Sequence, residues 1–289
     1  MIGPPMPERR RVGEPRPGRK GLYILPSLFT AANIAAGYYA ISQAIAGTTT
    51  DPSHFDLAAK AIGFAILFDG LDGRIARMTN TASAFGRELD SLADVIAFGI
   101  APAILAWLWG FRSLPAMDDF ELRSQVVQFG AVATFIFLMA GAARLARFNI
   151  QVNPQPSNPG RPGKKYFVGM PIPAGAGVIA AVVHFSKGAP LQDWWISAFW
   201  GAAVCGLASL MVSTWRFYSF KELNLGRPLN FRWIIVFGGA IALLWFFSRY
   251  VLMVVAVVYT LAGIMARLSF VLRRPTLPPP PPQDEASHA

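Results

Sequence analysis

An all-α, polytopic membrane bundle is the fold class this sequence predicts, and three observations predict it. Apolar residues make up 54% of the 289, while charged residues make up only 15%, well under the roughly 25% of a soluble domain. Mean hydropathy is +0.41. Apolar stretches of about 20 residues recur along the chain, each long enough to cross a ~30 Å hydrocarbon core. Basic residues gather in alternate linkers between those stretches.

Eight spans are expected, over 23–47, 55–78, 84–110, 125–149, 171–187, 192–215, 232–248 and 250–271. Before them, 1–22 is Pro-, Gly- and Arg-rich without an apolar run. It reads as a disordered basic cytosolic leader rather than a signal peptide. The second and third spans are joined by the short polar run Thr79-Asn80-Thr81-Ala82-Ser83, which makes them antiparallel neighbours. Pro171, Pro173, Gly175 and Gly177 crowd the start of the fifth span, and proline is tolerated in a first helical turn. The last two spans form a hairpin closed by Ser248–Tyr250. The chain then divides into a core over 23–225, an added hairpin over 226–272 and a disordered Pro-rich tail over 273–289.

Loop charge orients the bundle. With the N-terminus cytosolic, all but Lys60, Arg112, Arg123, Lys187 and Arg249 of the 26 lysines and arginines fall on one side. That positive-inside bias fits an even number of spans, with both termini in the cytosol. The net charge of +10 therefore reads as topology and attraction to anionic lipid, not as nucleic-acid binding. The single cysteine, Cys205, excludes an internal disulfide.

Four aspartates interrupt the apolar sequence: Asp69, Asp72, Asp90 and Asp94. Carboxylates at membrane depth must face a protein interior or a wet cavity. Asp69 and Asp72 are i and i+3 on the second span, and Asp90 and Asp94 are i and i+4 on the third, so each pair shares a face. Asp72 and Asp90 lie about 10 Å from the linking turn, and Asp69 and Asp94 roughly 15–16 Å from it. Two matched layers of oxygen ligands suit a hard divalent cation, Mg²⁺ or Mn²⁺. Gly70, Gly73, Ala76 and Gly86 clear space beside them, room for a ligand such as a nucleotide, and Arg77 is placed to pair with a phosphate or an aspartate. Spacing alone leaves two chemistries open: a metal-dependent enzyme and a metal-ion transporter. The apolar outer halves of these spans make the site one-sided, which weighs against a transport path.

The run from Asp69 to Asp94 fits D-x-x-D-G-x-x-A-R-x8-G-x3-D-x3-D at every fixed position. This resembles the signature of the CDP-alcohol phosphatidyltransferase family. Leu25–Gly37, Gly141–Asn149 and Tyr166–Ala174 are similar to the branch that joins CDP-diacylglycerol to L-serine. The resemblance covers roughly 22–225. It implies a six-helix membrane core, a homodimer and transfer of a phosphatidyl group to an alcohol with release of CMP.

By the same resemblance, Asp69, Asp72, Asp90 and Asp94 hold the divalent ions, with Asp94 also the general base. Thr30, Asn33, Asp69, Gly73, Ala76, Arg77 and Gly86 are implied to contact the CDP moiety. Arg144 and Arg147, i and i+3 at the end of the fourth span, are candidates for the serine carboxylate or a lipid phosphate, because guanidinium binds such anions bidentately. Asn149, Tyr166 and Gly169 are candidates for the same pocket. Lys164 and Lys165 read as membrane anchors, and His54, His184 and His288 as neither ligands nor catalysts. Other acceptors, glycerol 3-phosphate, inositol phosphate or choline, remain open within the same family.

Overall fold

The computed structural model describes residues 24–79, 84–117, 119–150, 157, 166–218 and 231–272, with the helical backbone alone over 24–27, 72–73, 75–79, 84 and 231–237. The basic leader, the turn at 80–83, Lys164, Lys165, His288 and the tail fall outside the described residues.

Alanine-rich apolar runs give long helices that pack closely. Helix α1 (Ile24–Ala46) lies along α2 (Ser53–Thr79). Both helices bury small residues, among them Ala40, Ala44, Ala58, Ala61 and Ala65. Small side chains let backbones approach and let dispersion act where lipid supplies no hydrophobic drive. The third span begins as α3 (Ala84–Asp94), widens into a π-helical turn (Val95–Ile100), and continues as α4 (Ala101–Trp107) and a second π turn (Leu108–Arg112). Pro102, in the first turn of α4, has no N–H to donate back to Phe98, and widening the ladder absorbs that loss.

Helix α5 (Phe120–Ile150) crosses back, α6 (Ile172–Phe185) and α7 (Trp194–Val212) follow, and α8 (Phe231–Leu272) ends the described chain. Trp109 and Trp200 pack edge to face at 5.4 Å. Their indole N–H groups donate to the carbonyls of Ala189 (2.8 Å) and Ala106 (3.2 Å), so two large buried aromatics leave no polar atom stranded.

Helices stand at every expected span, with four adjustments. Phe120–Ile150 starts five residues earlier than expected. Helix α6 has 14 residues, about 21 Å, because Pro171 bounds it at one end and the turn at Ser186–Gly188 at the other. The hairpin expected to close over Ser248–Tyr250 is instead one helix, Phe231–Leu272, kinked at Phe247 (φ −126°, ψ 27°), because the backbone bends there without reversing into a turn. Finally, a two-stranded antiparallel ribbon, β1 (Tyr166–Val168) with β2 (Arg216–Tyr218), was not expected. Among the described residues, Phe85–Arg112, Phe120–Ile150, Trp194–Val212 and Gly238–Leu272 are long and apolar enough to cross a membrane.

The ribbon marks one end of the bundle. Gly169 follows β1 with φ +73°, and a Cβ there would lie 2.5 Å from the Met211 carbonyl oxygen and 2.7 Å from that of Ser213. Glycine is required by this approach to the end of α7. At the same end, the Asn149 amide donates to Ser91 Oγ (3.0 Å), joining the last turn of α5 to the middle of α3.

Candidate metal and anion site

Asp69 on α2 and Asp90 and Asp94 on α3 each present a carboxylate oxygen, and these atoms lie within 4.8 Å of one another. Helix α1 packs against both α2 and α3 and holds them at the separation the carboxylates span. The Oδ1 atoms of Asp90 and Asp94 are shielded from solvent. At that spacing and an effective dielectric of about 20, each pair of ionised carboxylates repels by roughly 3–4 kcal/mol. A divalent cation converts this repulsion into ligation, and an all-oxygen donor set suits Mg²⁺ or Mn²⁺. Among the described residues, the chain thus carries an acidic group able to hold a metal ion.

The sequence-predicted partners divide by what surrounds them. Thr30 is buried and Asn33 wholly so, on the inward face of α1. One turn beyond Asn33, a Cβ on Gly37 would meet the Ala97 Cα at 2.9 Å. That close approach sets Asn33 level with Ala93 and Asp94. Both polar atoms of the Asn33 amide are buried without a hydrogen-bond partner. Such a group costs about 1–3 kcal/mol, which a polar ligand beside the carboxylates would offset. Gly86 lies one turn before Asp90 and is half-buried. Asp72, Gly73, Ala76 and Arg77 lie on α2 or its last turns, and their side chains fall outside the described residues.

The two arginines of α5 differ. Arg147 donates to the carbonyl oxygens of Val212 (3.1 Å) and Ser213 (3.4 Å). It satisfies orphan acceptors at the end of α7 and places positive charge where the helix dipole favours it. Arg144 is 8% exposed, its Nε has no hydrogen-bond partner, and it interacts electrostatically with Asp94. A buried guanidinium with an uncommitted donor, beside the carboxylate cluster, can receive an anion.

Asn149 is used in its bond to Ser91. Tyr166, on β1, packs edge to face with Tyr218 at 5.6 Å, and the Arg216 guanidinium sits 5.6 Å from its ring centroid. Sequence reasoning read Arg216 as topological charge only. Three residues, RFY, are too few for an alternating pattern to announce a strand.

Comparison with known proteins adds three relatives and a family. Residues 23–198 match the model of the family described as CDP-alcohol phosphatidyltransferase. A CDP-diacylglycerol–serine O-phosphatidyltransferase of Helicobacter pylori is 36% identical over 203 residues, covering 70% of this chain and 75% of the relative. One from Bacillus subtilis is 30% identical over 209 residues, covering 72% of this chain and 98% of the relative. One from Saccharomyces cerevisiae is 35% identical over 158 residues, covering 54% of this chain and 51% of the relative.

Proposed function

The chain belongs to the CDP-alcohol phosphatidyltransferase family, and from that footing we propose that it transfers the phosphatidyl group of CDP-diacylglycerol to the hydroxyl of L-serine, giving phosphatidylserine and CMP. The observation that carries the reading is the convergence of Asp69, Asp90 and Asp94 within 4.8 Å. Those residues with Asp72 hold Mg²⁺ or Mn²⁺, which when bound neutralises the pyrophosphate and the charge that develops on departing CMP.

The serine hydroxyl attacks the phosphorus that carries diacylglycerol. A P–O bond forms to serine, the P–O bond to CMP breaks, and the hydroxyl proton passes to Asp94. A carboxylate is a weak base for an alcohol, so positioning and electrostatics supply most of the acceleration. Thr30, Asn33, Gly73, Ala76, Arg77 and Gly86 line the nucleotide side. The buried, unpartnered amide of Asn33 supports a polar ligand there. Arg144 takes the acceptor carboxylate or the lipid phosphate, while the carbonyl contacts of Arg147 give it a bracing role. The acyl chains of CDP-diacylglycerol remain in the bilayer.

The carboxylate end faces the cytosol in this reading, the membrane is the cell's inner membrane, and two copies form a homodimer. The support for orientation is the distribution of Lys and Arg among the loops. CMP release by the purified protein with CDP-diacylglycerol and each of serine, glycerol 3-phosphate, inositol phosphate and choline tests the acceptor. Serine is expected to give the highest kcat/KM; preference for another alcohol rejects the serine assignment and leaves the family intact. The transporter alternative has no counterpart among these relatives.

A further inference from the structure

Helix α5 is tied to the third span at two levels. Inside the bundle, a Cβ on Gly99, in the first π turn, would lie 2.9 Å from Leu138 Cδ1, so α5 approaches that turn closely. Nearer the carboxylates, the Asn149 amide donates to Ser91 Oγ at 3.0 Å. The Ser91 hydroxyl itself donates to the Arg87 carbonyl (3.0 Å), which makes its oxygen the acceptor in the bond with Asn149.

The two ties bracket the site. Counted inward from the Ser91–Asn149 bond, Asp94 is three residues along α3 and Arg144 five residues along α5, about 4.5 and 7.5 Å along the two axes. Gly99 and Leu138 lie eight and eleven residues inward on the same two helices. Asp94 and Arg144 therefore stand at nearly the same level on opposite sides of one gap. Asp94 belongs to the carboxylate group; Arg144 is buried with an unpartnered Nε. Beyond Arg144 the end of α5 is exposed at Phe148, Asn149 and Ile150. Arg147 braces it to the end of α7, and Asn149 braces it to α3.

We propose that Ser91 and Asn149 are positioning residues: their bond fixes the width of the gap across which the acceptor lies, with its hydroxyl at Asp94 and its carboxylate at Arg144. This rests on the reading of those two residues as base and acceptor-anion group. An acceptor gripped at two points is sensitive to the distance between its partners, so the bond selects for the short spacing of hydroxyl and carboxylate in serine.

The test is steady-state CMP release by the full-length protein in detergent with Mg²⁺ at saturating CDP-diacylglycerol. The acceptor is L-serine or L-homoserine, which is one methylene longer. Asn149→Ala and Ser91→Ala are each expected to raise the serine KM on the order of three- to tenfold. The double variant shows no more than the larger single rise, because each change removes the same bond. Preference for serine over homoserine narrows in all three, while Ser91→Thr, which keeps the hydroxyl, retains the wild-type serine KM. The Mg²⁺ concentration for half-maximal rate stays at its wild-type value, because the carboxylate group is shared by α2 and α3 rather than α5. A wild-type serine KM in folded Asn149→Ala overturns the proposal, as do rises that multiply in the double variant. A rise in Asn149→Ala without one in Ser91→Ala also overturns it, since Asn149 would then touch serine directly. A raised Mg²⁺ requirement does the same, because it reports a general loosening of α3. Arg144→Lys separates this proposal from the reading beneath it. An unchanged serine KM there rejects Arg144 as the carboxylate partner; a raised one, with Ser91→Ala and Asn149→Ala unaffected, rejects the positioning role alone.

Discussion

The two ends of the bundle treat carboxylates in opposite ways. At one end Asp69, Asp90 and Asp94 gather within 4.8 Å of one another, beside an arginine whose Nε is uncommitted. At the other end Asp56 has its own basic partners. Lys60 Nζ lies 2.7 Å from one of its oxygens and His184 Nδ1 2.5 Å from the other. His184 in turn meets Ser248 Oγ, so one polar chain ties α2, α6 and α8. Three carboxylates whose oxygens converge this closely form a group able to hold a metal ion. A carboxylate with two basic neighbours is already balanced, and its contribution is tertiary structure.

The sharpest way to break that contrast is to neutralise one acid at each end. Asp90→Asn is expected to cut kcat on the order of 10³-fold while leaving the melting temperature near wild type. Chelation of divalent ions should abolish turnover equally, with recovery on adding Mg²⁺ or Mn²⁺; chelator-resistant turnover would remove the metal from the carboxylate end. Asp94→Asn tests the base and is expected to cost about 10²- to 10⁴-fold in kcat, with CDP-diacylglycerol binding retained. Near-normal turnover would return Asp94 to ligation alone.

Smaller effects are expected at the opposite end, and of a different kind. His184→Ala leaves Asp56 and Ser248 short of a partner and is expected to lower stability by about 1–3 kcal/mol, read as an earlier thermal transition, with kcat of the folded protein unchanged. Lost turnover at full stability would mean that this end takes part in the chemistry after all. Lys60→Ala should cost least, under about 0.5 kcal/mol, because Lys60 is half exposed and water screens the pair.

The carboxylate site was legible in the chain because its information is local. A spacing of four residues puts Asp90 with Asp94 on a shared helix face, and Asp69 joins them, while the side chain of Asp72 lies outside the described residues. The short polar run after Thr79 then sets the aspartates of the two helices near the same end. The helices were legible for a similar reason, since length and apolarity suffice. Boundaries were less so. The π turns around Pro102 and the kink at Phe247 come from backbone hydrogen-bond geometry that hydropathy does not encode.

What the sequence by itself determined, then, is a membrane helix bundle, an acidic group within it and the family the chain belongs to. Tertiary structure decided which of two equivalent-looking arginines is free. Arg144 and Arg147 share a helix face and a charge, and only the position of α7, 65 residues on from Arg147, makes one a brace and leaves the other with a buried Nε that has no hydrogen-bond partner. Likewise His184 and Asp56, 128 residues apart, meet only through packing. Spacing along one helix fixes which side chains share a face; which partners that face meets depends on contacts between distant segments, and those exist only once the bundle has closed.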